Sequence, residues 1–192
     1  SPVTVKVDKT KPVIDNVSGN PTAPVNSEQT ITFAVSDADS GINNQSIVVK
    51  KGDTVINLIE NTLSFKTQGN GKYTVSVSDN VSNIAEMIID VTQLDFDKPL
   101  VSVLSPADNE QNADVCTLSV TFNENVKESN NNGDVTVYRA DGSVFEKTDI
   151  QNNRIKIKDN QMIIYFTKPL EAKTGYYVTI ANDIILDIAG NP

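Results

Sequence analysis

The chain has 192 residues, and 16 Lys plus Arg set against 25 Asp plus Glu leave a formal net charge of −9. That length holds one or two domains, and that charge argues against nucleic acid and anionic membrane surfaces as partners. The absence of His and the single cysteine, Cys116, exclude His-based triads, His metal sites, an intrachain disulfide and a thiolate zinc cluster.

Val (23), Ile (18) and Thr (17) dominate, while Leu (8) and Ala (10) are scarce. Side chains branched at Cβ suit pleated strands and lose rotamer freedom in helices. Asn (22) and Asp (17) supply turn residues. The reading is all-β. In chain order, Val3–Val7 alternates like a short strand, and Lys11-Pro12 opens an apolar strand start at Val13-Ile14. Thr30–Val35 alternates with Ile31, Phe33 and Val35 inward. Strands are expected over Ser46–Lys51, Asp53–Ile59, Thr62–Lys66, Lys72–Val77 (Tyr73, Val75 and Val77 inward) and Asn83–Thr92. Clusters such as Asp39-Ser40-Gly41, Gly69-Asn70-Gly71 and Ser78-Asp79-Asn80 separate them.

Beyond Asp95–Lys98 the pattern restarts. Cys116–Phe122 alternates with Cys116, Leu118, Val120 and Phe122 inward, so Cys116 is expected to be buried. Asp134–Ala140, Ser143–Ile150, Arg154–Lys158, Met162–Thr167 and Tyr176–Ala181 follow as strands. Asp141-Gly142 marks a tight hairpin turn. Only Val126–Ser129 offers room for a helical turn.

The punctuation Asp8-Lys9-Thr10-Lys11-Pro12 returns as Asp97-Lys98-Pro99, 89 residues later, which is the length of one β-sandwich domain. Pro cannot donate to a ladder and so sits at a strand start or in a linker. The expected organisation is an end strand of a preceding repeat over 1–8, one domain over 9–96 and a second over 97–192. Tyr73 and Tyr176 each open a late strand behind a Gly. They are candidates for the corner in which a core tyrosine bonds backbone a few residues upstream.

Residues 98–192 resemble the bacterial immunoglobulin-like domain first named from S-layer proteins. The likeness rests on Lys98-Pro99-Leu100-Val101-Ser102-Val103-Leu104-Ser105-Pro106-Ala107-Asp108, Leu118–Val126, Pro169–Ile180 and Asp187-Ile188-Ala189-Gly190-Asn191-Pro192. Residues 9–95 resemble another bacterial surface Ig-like repeat through Val35-Ser36-Asp37 and Tyr73–Asn83. The resemblance implies two tandem immunoglobulin-like β-sandwich domains, secreted or on the bacterial cell surface, with no catalytic activity. It places such modules in S-layer proteins, adhesins and large glycan-degrading enzymes. Domains like the second continue with one more strand, so this one is expected to lack its last. The open edge would then invite strand pairing, with Val3–Val7 one candidate.

Site candidates are acidic. In an Ig-like topology the incoming linker and the loops after strands B and F meet at one end. The first domain would gather Asp8, Asp37, Asp39 and Asp79 there, and the second Asp95, Asp97, Asn123, Glu124, Asp183 and Asp187. Converging carboxylates repel unless a cation offsets them, and calcium accepts six to eight oxygens in flexible geometry. The chosen candidate calcium ligands are Asp95, Asp97, Glu124 and Asp187; the alternative is that all are turn formers facing water. Asp37 with Asp39, or Asp183 with Asp187, could also pair for glycoside hydrolysis, but two small sandwiches offer no evident cleft. Tyr165 and Tyr177 are candidates for a small glycan-stacking surface or for plain cross-strand pairs, and the chain has no Trp. Two functions follow: a structural spacer whose partners are other domains of the same polypeptide, or a module binding glycan or a host surface protein.

Overall fold

The computed structural model describes residues 7–107, 110 and 116–192. The chain divides into two compact units, Ser1–Asp95 and Phe96–Pro192. Among the described residues there are strands, turns and bends but no helix.

The first unit contains β1 (Val13–Ser18), β2 (Thr30–Ser36), β3 (Ile42–Lys51), β4 (Thr54–Ile56), β5 (Ser64–Lys66), β6 (Gly71–Asp79) and β7 (Ile84–Val91). They form two antiparallel sheets, ordered β1-β2-β5 and β4-β3-β6-β7. One apolar cluster joins them: Ile14, Ile31, Phe33 and Phe65 from the first sheet pack with Val49, Ile56, Tyr73, Val75, Val77, Ile89 and Val91 from the second. Period-2 alternation sends each of those side chains inward and its neighbours outward. This is a two-sheet sandwich in which β1-β2-β5 faces β4-β3-β6-β7. Gly19, just past β1, has φ +82°, and a Cβ there would lie 2.0 Å from the Thr30 carbonyl oxygen. No side chain fits that close approach of two chain segments.

The second unit contains β8 (Val101–Ser105), β9 (Thr117–Phe122), β10 (Val126–Glu128), β11 (Asp134–Arg139), β12 (Val144–Asp149), β13 (Ile155–Lys158), β14 (Gln161–Tyr165), β15 (Tyr176–Ile180) and β16 (Ile185–Asp187). Its sheets are β13-β14-β9-β8, β12-β11-β15 and the short pair β10-β16. Leu118, Val120, Phe122, Ile155, Met162 and Ile164 of the first meet Val135, Val137 and Phe145 of the second in a core closed by Val126, Ile184 and Ile185. The Arg139–Ser143 turn places Gly142 at φ +86°, as the Asp-Gly pair requires.

Both tyrosine corners are present. Tyr73 is fully buried; its hydroxyl donates to the Gly69 carbonyl (2.8 Å) and accepts from the Gln68 N–H (2.6 Å). The Tyr176 hydroxyl accepts from the Glu171 N–H (2.7 Å), and its ring meets Phe145 edge to face.

Two expectations are corrected. Cys116 is exposed, not buried. It has the parity of Leu118 and Val120, but the ladder begins one residue later, at Thr117 opposite Tyr165. Cys116 precedes the first ladder pair, at the strand's end: its carbonyl still accepts from the Phe166 N–H (2.7 Å), but its side chain is exposed. Val126–Ser129 is not helical: Val126–Glu128 forms β10 and pairs with Ile185–Asp187. A β-branched residue that is 5% exposed is held by that sheet contact rather than by local propensity. The strand expected over Val3–Val7 falls, apart from Val7, outside the described residues.

A carboxylate cluster at the loop end of the first unit

Asp37 follows β2 directly, and Asp79 is the last residue of β6. The two loops that begin there are tied together: the Asn80 N–H donates to Gly41 O (3.0 Å) and Asn80 Nδ2 to Ser40 O (2.7 Å). The segment entering β1 passes the same place, because the Ser40 N–H donates to Asp8 Oδ2 (3.1 Å) and Asn83 Nδ2 reaches the Asp8 carbonyl (3.4 Å). Asp8, Asp37 and Asp79 thus bring one carboxylate oxygen each within 4.8 Å of one another. Asp39, expected in the same group, is exposed on the loop and lies outside it.

Each carboxylate also organises its own loop. Asp37 Oδ1 accepts from the N–H groups of Asp39, Ser40 and Gly41 at 3.1, 2.9 and 2.8 Å. Its Oδ2 is buried and has no hydrogen-bond partner. Asp79 is 1% exposed; its Oδ1 accepts from Val81 and Asn83 N–H (3.0 and 2.7 Å) and its Oδ2 from Asn83 Nδ2 (2.6 Å). Burial pushes the Asp79 carboxyl up, but the hydrogen bonds from Asn83 and Val81 outweigh it and hold it below the ordinary value. Ser40, whose N–H donates to it, and the Thr10 N–H likewise hold Asp8 down, against burial and the Asp79 charge. Hydrogen bonds to the charged form favour ionisation, so these two groups stay anionic side by side. Among the described residues, no lysine or arginine pairs with any of the three.

The second unit repeats part of this design. Asp187, fully buried at the end of β16, accepts from Gly190 N–H (2.5 Å), Asn191 N–H (2.7 Å) and Asn191 Nδ2 (2.7 Å). The backbone closes the loop in both units: Asp79 N–H to Asn83 O (3.1 Å) and Asp187 N–H to Asn191 O (2.9 Å). Asp and Asn four residues apart form one clasp used twice, with Ser82 (φ 73°) and Gly190 (φ 101°) at the same left-handed position. Sequence reasoning treated these carboxylates as candidate ligands and missed the asparagines. The signal was there, since Asp79…Asn83 and Asp187…Asn191 share their spacing.

The remaining candidates are placed as follows. Glu124 and Asp187 bring carboxylate oxygens within 4.8 Å of each other. Asp97 is in neither carboxylate group. Asp95 closes the first unit, its N–H donating to Val25 O (2.9 Å). Asn123 pins Leu100 through both its backbone N–H (2.9 Å to Leu100 O) and its Oδ1 (2.6 Å from Leu100 N). Asp183 offers its carbonyl to Ser129 Oγ (2.5 Å) and Asn131 Nδ2 (3.2 Å). Tyr165 and Tyr177 are half exposed but stand on different sheets, β14 and β15, and form no common platform. Tyr177 instead stacks on its cross-strand neighbour Tyr138, with centroids 5.0 Å apart.

Two-sheet sandwiches with tyrosine corners and loop ends closed by Asp–Asn clasps define the class: immunoglobulin-like modules. The model of the family described as "Bacterial Ig-like domain" matches residues 95–192, and the chain belongs to that family. As a family, bacterial Ig-like domains are non-catalytic and typically occur in surface or extracellular proteins. No match is found among curated proteins.

Proposed function

We propose that the chain is a pair of structural modules that space or present a neighbouring domain of a secreted or cell-surface bacterial protein. The observation that supports this reading is the self-sufficiency of each unit. Each buries its own apolar core between sheets and ties its turns with a buried Asp–Asn clasp. Such construction resists unfolding without help from a ligand. Pulling the chain by its ends tests it. Two separate unfolding steps are expected, each releasing roughly 300 Å of chain for about 95 residues at 3.3–3.6 Å per residue. A single collapse of both units at low force would refute the spacer role. Specific binding on a glycan array or a host-protein pull-down would turn the reading towards a recognition module.

A further inference from the structure

We propose that the outer face of sheet β12-β11-β15 in the second unit binds a neutral glycan. The inference goes beyond the spacer reading: a spacer that also grips a sugar keeps its two unfolding steps, so the two readings fail separately. Val135 and Val137 pack into the core, so strand alternation puts Asp134, Thr136 and Tyr138 on the opposite face. The ladder sets Tyr177 and Thr179 of β15 beside Tyr138 and Thr136, and Lys147 of β12 on the other side of Thr136. Tyr138 and Tyr177 stack with centroids 5.0 Å apart and planes 11° from parallel. Tyr177 is 47% exposed and β15 ends its sheet, so the ring face turned away from Tyr138 is open. The face of an aromatic ring is the negative part of its quadrupole and attracts the polarised C–H groups on the apolar side of a sugar.

Two residues along the strands, about 7 Å from the tyrosines, the same face carries a depression. Its volume is about 380 Å³, and Asp134, Thr136, Lys147 and Thr179 form part of its lining. Thr136 is the second, independent observation. It is only 7% exposed, and among the described residues its hydroxyl has no hydrogen-bond partner. A nearly buried hydroxyl left unpaired is uncommon in a folded protein, and a sugar hydroxyl entering the depression satisfies it. Charge narrows the ligand. Lys147 and Asp134 pair at 2.9 Å, so the depression offers a strong donor and a strong acceptor with no net charge. That suits an uncharged molecule rich in hydroxyls, each of which both donates and accepts. The chain's net charge of −9 repels acidic sugars. A chain of two or more sugars reaches both the tyrosines and the depression.

The test is an NMR titration of the whole chain with cellohexaose, mannohexaose, xylohexaose and N-acetylchitohexaose, and with hexagalacturonate as an acidic counterpart. At least one neutral sugar is expected to shift the amides of Thr136, Tyr138, Tyr177 and Thr179 to saturation, with a midpoint of about 1 mM or below. The amides of β9 and β14, on the other sheet, should stay in place. Tyr177→Ala should weaken binding about tenfold, whereas Tyr177→Phe, which keeps the ring, should stay within about twofold of the parent. Thr136→Val removes only the hydroxyl and should weaken binding about fivefold; it carries the test should Tyr177→Ala perturb folding. Unmoved amides on this face with all four neutral sugars at about 10 mM would overturn the proposal. So would parent-like affinity in both Tyr177→Ala and Thr136→Val, or tighter binding of hexagalacturonate than of any neutral sugar.

Discussion

Replacing Tyr73 by Phe removes one oxygen and leaves the ring in place. That oxygen makes two hydrogen bonds, one donated to Gly69 O and one accepted from Gln68 N–H. A net hydrogen bond contributes about 1 kcal/mol, so the substitution should cost about 2 kcal/mol. The Tyr176 hydroxyl accepts one bond, from an N–H in an exposed turn. Tyr176→Phe should therefore cost about 1 kcal/mol or less. In domains of this size 1 kcal/mol moves the melting temperature by roughly 4–8 °C. Differential scanning calorimetry of the whole chain should show Tyr73→Phe lowering one transition by about 8–16 °C, with Tyr176→Phe lowering the other by less. Equal shifts for the two, or a Tyr73→Phe shift below about 3 °C, would refute the claim that two bonds hold the first corner and one the second.

Glu146 faces the core of the second unit, where the Thr167 N–H (2.9 Å) and hydroxyl (2.8 Å) and the Arg154 guanidinium hold it. Burial pushes its carboxyl up, but those three donors outweigh it and hold the group below its ordinary 4.5. A depressed folded value means the contribution is present above the unfolded value and is lost as pH falls below 4.5 through the folded value. Urea unfolding between pH 3 and 7 should show that loss in the parent and a flatter profile in Glu146→Gln, with Glu146→Ala costing about 3 kcal/mol at pH 7; parallel profiles would contradict it. Exposed Cys116 should react with a thiol reagent in native protein as fast as in denatured protein; labelling slowed a hundredfold or more would mean it is covered.

Local pattern by itself determined the all-β class, the inward face of β2, β6 and β9 and the Asp-Gly turn, and marked Tyr73 and Tyr176 as corner candidates. Those depend on period-2 alternation and on residues a few positions apart, which a sequence displays directly. The resemblance to Ig-like domains, rather than local pattern, brought Asp8, Asp37 and Asp79 to one end, because an Ig-like order fixes where the loops after its strands emerge. The ends of elements needed the tertiary structure. Cys116 and Leu118 have the same parity, yet only Leu118 lies within the ladder and under the facing sheet. Val126–Glu128 became a strand through pairing with residues about sixty positions away, a non-local contact that outweighs weak local preference. The exclusion of Asp39 from the cluster and the unpartnered oxygen of Asp37 were also beyond local reading. Both depend on which way a side chain turns within a loop, and that is set by hydrogen bonds among three separate segments of chain.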